Sequence, residues 1–454
     1  ADHILYMWSA KPRAGATTDK TLKALLAPFA HLDGEWLLQP VNDETLVLPR
    51  IGHSAVAVGG WILLVGGVQP NQASREREVS CIHRTGKWWH QLQCAGNAPT
   101  GRSWHTATVV RGGRVLIFGG SNGRKLFDDL HELQLTLGGD NEPPVGARWS
   151  HPTTTGDKPR SRMGHTAACV PGDRLWSFGG FTKASASKGY ALELYELDVS
   201  SMDWRLLQPK QADDEGPPLV GRLGASSFVH EETFLVFGGS INGKAVNELL
   251  ALSSTPRLAT STTSPTSANS AASTISRVQA VGRAAVTPRH SAAATRSPCR
   301  RYAFVHGGCE CDKELGLNRT LGDLLQLNLQ TYTWAVLTPA KGAIAPGLRF
   351  KHSLFAVADP AGRAQLTMLL FGGSDGGTTG GGEAVDAQLW QLSLTPAEAS
   401  TRPSPAPRSQ VAPLAQLGVG SRGDSERTFS RRSSESDRDE AEAEAEAAAA
   451  AAAE

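Results

Sequence analysis

Short apolar runs of about five residues, separated by turn residues and lacking helical periodicity, recur along this chain as one unit. A run ending in Gly-Gly occurs six times, as WILLVGG, VLIFGG, LWSFGG, FLVFGG, AFVHGG and MLLFGG, with doublets starting at Gly66, Gly119, Gly179, Gly238, Gly307 and Gly372. Each is preceded by a second run of small or β-branched residues: GHSAVAV, WHTATVV, GHTAACV, LGASSFV, RHSAAAT and KHSLFAV. After the doublet come a loop and a third run, such as DDLHELQL, LELYELDV, NELLAL, GDLLQLNL or DAQLWQLSL. A fourth run carries a tryptophan, as in DWRLLQP at Trp204 and TYTWAVLTP at Trp334. Runs of this length between turn signals predict strands. Four strands per repeat predict a propeller blade.

Glycine takes positive φ and has no Cβ, so a doublet lets the second strand end in a sharp turn with bulky neighbours packed close. The tryptophan is expected to fill the wedge between blades. The doublet, the polar lead-in of the third run and the downstream tryptophan together resemble the kelch repeat over about residues 35–394. The fold expected is all-β: a six-bladed kelch β-propeller with four-stranded antiparallel blades spanning residues 34–394. Blade six stops at LWQLSL without a fourth strand, and GEWLLQP at 34–40 is a fourth strand without its first three. The ring is therefore expected to close by an N-terminal strand pairing with the C-terminal sheet, which removes two exposed edges.

Two repeats depart from the pattern. Blade four has no tryptophan after NELLAL, and a Ser/Thr/Ala-rich stretch at about 253–276 reads as a disordered insert between its third and fourth strands. Blade five has His306 where the others have Phe or Val. Outside the ring, residues 1–33 include TLKALLAPFAHL, read as a short helix, and residues 395–454 are Pro/Ser/Arg-rich and then Ala/Glu-rich, read as a disordered tail.

Charge changes the picture by exclusion. With 45 basic and 44 acidic residues among 454, the net charge of +1 provides no global field toward nucleic acid or an anionic membrane. No apolar stretch reaches the roughly 18 residues of a membrane span, and the first residues lack a signal peptide's apolar run. A soluble cytoplasmic or nuclear protein is expected, with its six cysteines as free thiols.

The most regular polar feature is an arginine three residues before the first-strand histidine: Arg50 with His53, Arg102 with His105, Arg162 with His165 and Arg349 with His352. Arg222 keeps the position before Ala225, and Arg289 directly precedes His290. Repetition sets these six around one channel mouth. The kelch resemblance implies partner-binding arginines that contact acidic peptides; the structural alternative is that Arg and His tie strand ends to neighbouring backbone. Cys299, His306, Cys309 and Cys311 match no usual zinc spacing, so no metal or cofactor is expected. Hydroxyls and histidines that recur once per blade mark architecture rather than a unique catalytic centre. In the tail, Ser433 and Ser434 follow Arg431 and Arg432 in a basophilic kinase context.

These features point to a non-catalytic scaffold that binds a protein or peptide, acidic in character, through loops on one face. The alternatives are a substrate-recognition subunit of a ubiquitin ligase and an enzyme or small-molecule modifier with its site at the channel mouth.

Overall fold

The computed structural model describes residues 36–39 and 49–394, apart from loop segments at 70–78, 86–88, 139–141, 143, 186–189, 191, 212–217, 255–272, 283–285, 338–344, 359–365 and 377–387. Within these limits the chain is an all-β propeller of six sheets. Blade two shows the plan. Thr106–Val110, Arg114–Phe118, Leu130–Thr136 and Gly146–Ser150 form a meander of antiparallel neighbours, with Val115 opposite both Val109 and Leu133. The first strands of the six blades stand against one another and line the central channel.

Second strands are buried on both faces, as in Trp61–Val65, because each packs on the blades to either side. Six clusters of buried apolar residues fill the six gaps between neighbouring blades; one joins Leu116 and Phe118 of blade two to Leu197 and Trp204 of blade three. The fourth-strand tryptophans Trp89, Trp149, Trp204 and Trp334 each pack on the preceding blade. In blade four the same register position, opposite Leu252, is held by Ile275, which is buried.

Closure occurs as the chain ends require. Trp36–Gln39 pairs antiparallel with Leu389–Leu394, placing Trp36 opposite Leu392 and 4% exposed against Phe304 and Leu354. Four of the six sheets exceed the expected four strands, that of blade five because the short hairpin Ser240–Ile241 and Lys244–Ala245 joins it. Linker segments Cys94–Gly96, Thr155–Gly156 and Lys210–Gln211 each add a short parallel strand at the outer edge of the next blade. Val281 makes the corresponding bridge to Thr333 in blade five. The linker needs somewhere to bond its backbone as it crosses between blades, and that edge supplies it.

The insert in blade four is narrower than 253–276, because the flanking strands Leu249–Ser254 and Ser273–Val278 run into it and seat Ile275. Its remaining residues, the helix read in 1–33 and the tail with Ser433 and Ser434 lie outside the described residues.

Candidate binding face at the channel mouth

The doublets, the six arginines and the loops that follow the doublets meet at one end of the ring. In every blade the residue after the arginine bridges the residue after the doublet: Ile51 to Val68, Ser103 to Ser121, Met163 to Phe181, Leu223 to Ser240, His290 to Cys309 and Phe350 to Ser374. Each arginine then donates from Nη1 to the carbonyl of the first doublet glycine of its own blade, at 2.9–3.3 Å. Its own carbonyl accepts the N–H of the preceding blade's second glycine, as in Gly67 to Arg102 at 2.9 Å and, closing the circle, Gly373 to Arg50 at 3.3 Å. The doublet is thereby explained. A Cβ on Gly307 would lie 2.2 Å from the Arg349 carbonyl, and the φ of the pair, 61° and 100°, belongs to glycine.

All six guanidiniums are buried: Arg50, Arg102, Arg162, Arg222, Arg289 and Arg349 are between 0% and 5% exposed. Four are neutralised by a carboxylate just ahead of the same blade's third strand or, in blade five, within it: Arg102 by Asp129, Arg162 by Glu193, Arg222 by Glu248 and Arg289 by Asp323. The Arg102 and Arg289 pairs are bidentate, and Arg102 also lies 4.1 Å from the Phe127 ring centre. Burial alone would raise the Asp129 carboxyl, but the hydrogen bonds and charge of Arg102 and His131 hold it well below the usual range. The arginines do ring one mouth, as their repetition predicts. They face into the blades, and a partner would meet them only by displacing these internal bonds.

The histidines form a second internal tier. His53 bonds Ser353 of blade six at 2.8 Å, His165 bonds Thr106 of blade two at 2.9 Å, and His352 bonds His306 of blade five at 3.0 Å. Burial, reinforced by neighbouring charges, pushes His53, His105 and His306 down to about 3. His165 and His352 are lowered for the same cause. The cysteine cluster disperses: Cys309 Sγ contacts Asn318 Oδ1 at 2.9 Å, Cys299 contacts Ser297, and His306 is engaged with His352. Among the described residues no three His, Cys, Asp or Glu side chains come together as a metal site would need.

What repetition does not reveal sits one residue beyond the bridge. Gly52, Trp104, Gly164, Gly224, Ser291 and Lys351 form a closed circle in which each N–H donates to the preceding blade's carbonyl, at 2.7–3.4 Å. All six have left-handed φ between 54° and 64°. Three are glycines, suited to it, and three are not. Below this circle lies a cavity of about 180 Å³, walled by the same six residues and by His53, His105, His165, Ala225, Ala292 and His352. Blade five adds an arm, because Tyr302–Asp312 and Leu317–Asn328 are 11 and 12 residues long and run past the doublet, ending near the exposed Leu315.

A closed six-blade ring held by Gly-Gly doublets and buried arginines defines a kelch-type propeller, a class of interaction fold. The chain belongs to the kelch-repeat family: it matches the KLHDC2/KLHL20/DRC7 Kelch-repeats domain over residues 52–147 and 144–373. It is similar to acyl-CoA-binding domain-containing protein 4 of Arabidopsis thaliana, 29% identical over 55% of this chain and 35% of that protein. Acyl-CoA-binding domain-containing protein 5 of the same plant is 31% identical over 45% of this chain and 29% of its own length. Adagio-like protein 3 of Oryza sativa subsp. japonica is 27% identical over 43% and 30%. The match spans about a third of the length of these relatives. Among the described residues no helix is long and apolar enough to cross a membrane.

Proposed function

We propose that this protein is a non-catalytic platform that binds a protein partner of acidic character on the face where the doublet loops and the arginine-led linkers meet. One observation carries the reading. The residues that repeat are consumed inside the ring, whereas those that break the repeat, Trp104, Ser291, Lys351 and the arm of blade five, gather on this face. Function in a repeat fold lives in such departures, on loops held by a rigid scaffold. On the opposite face the turns between the first and second strands of blades one, two and four are short, at 59–60, 111–113 and 231–232. Exposed Arg124 and Lys125 add positive charge to the blade-two loop and favour an acidic partner. In this reading the six arginines shape the rim without touching the partner.

The test is chemical cross-linking of the full chain to a partner recovered from its native source, at low and raised salt. Cross-links should concentrate on residues 121–129, 309–321 and 345–352, and recovery should fall as salt screens the exposed charges. Cross-links confined to the short turns or the outer strands would overturn the reading.

A further inference from the structure

The third and fourth strands of blade two meet, at one end of their ladder, in a pair of histidines. His151 follows Ser150, whose partner is Glu132, so His151 stands opposite His131 at the next step. Their ring centres are 4.9 Å apart and their planes are inclined at 55°. His131 is held from behind. Its Nε2 lies 3.0 Å from Asp129 Oδ2, and Asp129 is gripped in turn by both Nη atoms of Arg102. Burial opposes ionisation of that carboxyl, but Arg102 and His131 hold it well below the usual range. A carboxylate only accepts, so the proton of the neutral imidazole sits on Nε2 and Nδ1 carries a lone pair. That Nδ1 is buried and has no hydrogen-bond partner, whereas His151 is exposed.

We propose that His131 and His151 form a two-imidazole site for an exchangeable divalent transition-metal ion, Zn²⁺ first among them. Zinc binds imidazole nitrogen at about 2.0–2.1 Å, and that nitrogen lies about 1.1 Å from its ring centre. Two imidazoles on one ion, at right to tetrahedral angles, therefore have ring centres about 4.5–5.2 Å apart. The pair stands at 4.9 Å, within that range. The carboxylate behind His131 is the support that metal-binding imidazoles ordinarily have, since it fixes the tautomer and raises the basicity of the free nitrogen. Imidazole also selects the ion: Mg²⁺ and Ca²⁺ take oxygen ligands, and late first-row ions take nitrogen. Among the described residues no third His, Cys, Asp or Glu joins the two, so water fills the other positions and the ion exchanges. Bound there, it ties the end of Gly146–Ser150 to Leu130–Thr136, and the first of these carries Trp149 into the seam with blade one. An ion that binds only the folded ladder stabilises it by mass action.

The test titrates the full chain, freed of metal by a chelator, with Zn²⁺ and separately with Mg²⁺. Binding is read by calorimetry, by the histidine ring resonances, with His151→Ala identifying the relevant one, and by the melting midpoint. Zn²⁺ should move the His151 signal and raise the midpoint, and Mg²⁺ should do neither. His151→Ala changes an exposed side chain and should fold as the parent does. It should weaken Zn²⁺ about tenfold or more, because even an outer support of a metal ligand is worth that much. His151→Cys exchanges one zinc ligand for another and should retain binding. A His151 signal that Zn²⁺ leaves in place would overturn the site. Zn²⁺ affinity unchanged in His151→Ala would overturn it too, and would assign the ion to other side chains such as the thiols.

Discussion

Glu231 turns the corner between the first and second strands of blade four at φ 53°, where blade one uses Gly59 at 59°. A left-handed backbone costs an L-residue roughly 1–2 kcal/mol, against about 0.5–1 kcal/mol for the extra freedom glycine brings to the unfolded chain. Glu231→Gly should therefore stabilise the protein slightly, by up to about 1 kcal/mol in denaturant unfolding; a loss of stability would show that the corner is not strained. Arg162 is the opposite case. It is fully buried, bonded to the Gly179 carbonyl and to Glu193, and packed on Tyr195. Arg162→Met strands both acceptors and should cost about 3 kcal/mol or more. A partner-contacting arginine would instead lose affinity at unchanged stability, so the two measurements separate the roles. The six arginines are plain in the sequence as a repeat, but their burial is not. The carboxylates that neutralise four of them stand just ahead of third strands, as Asp129, Glu193 and Glu248 do, or within one, as Asp323 does, where a polar residue reads equally well as a turn or a solvated face. Trp104 and Lys351 are harder still to see, because a search for repetition sets aside the residues that break it.

At the scale of elements, the strands and the closure are legible because each depends on local pattern. Apolar runs bounded by glycine mark strands, and a blade short of one strand at one chain end matches a spare strand at the other. The parallel linker strands leave no such trace, since two or three residues such as Thr155–Gly156 show no periodicity and pair with a strand some 48 residues away. Ile275 escapes for a related reason. The wedge it fills requires an apolar group of sufficient bulk, and only the register opposite Leu252 shows that isoleucine meets the need. The closing strand is the element whose role is most open to test. Its contribution is concentrated in Trp36, which is buried against blades five and six, while Leu37 and Leu38 are 53% and 49% exposed. Trp36→Ala should cost about 3–5 kcal/mol, a large part of a typical domain's stability, and expose the edge of Leu389–Leu394. The variant should melt lower and aggregate on warming. An unchanged midpoint would mean that the ring is held shut without this strand.

Over the whole molecule, two circles of backbone hydrogen bonds and one tier of buried histidines run through all or most blades, so each blade's stability depends on its neighbours. His53, His105, His165, His306 and His352 lie in this tier, and His290 beside it is lowered to about 4, mainly by burial and then by Lys351. Their folded pKa values lie below the ordinary 6.5, so between about 3 and 6.5 the unfolded chain binds more protons than the folded one. Stability therefore rises with pH across that window, is fully present above the unfolded value, and is lost as pH falls through it. Each buried histidine contributes up to about 1.4 kcal/mol per pH unit, so the ring should lose most of its stability within one to two units below 6.5, well before its carboxylates protonate. The charged groups acting on the tier are Arg50, Arg102, Arg162, Arg289 and Arg349, which lower these histidines further, and Asp323, which opposes that at His306. Blades four and five carry Ala225 and Ala292 in the wall where blade two has His105, so the fold accommodates alanine at that place. His105→Ala should then shallow the dependence of unfolding free energy on pH between 6.5 and 5 by about one proton's worth, roughly 1.4 kcal/mol per unit. Equilibrium unfolding at several pH values measures both slopes. A wild-type stability that stays flat from pH 7 to pH 5 would show that these imidazoles take up protons without disturbing the ring.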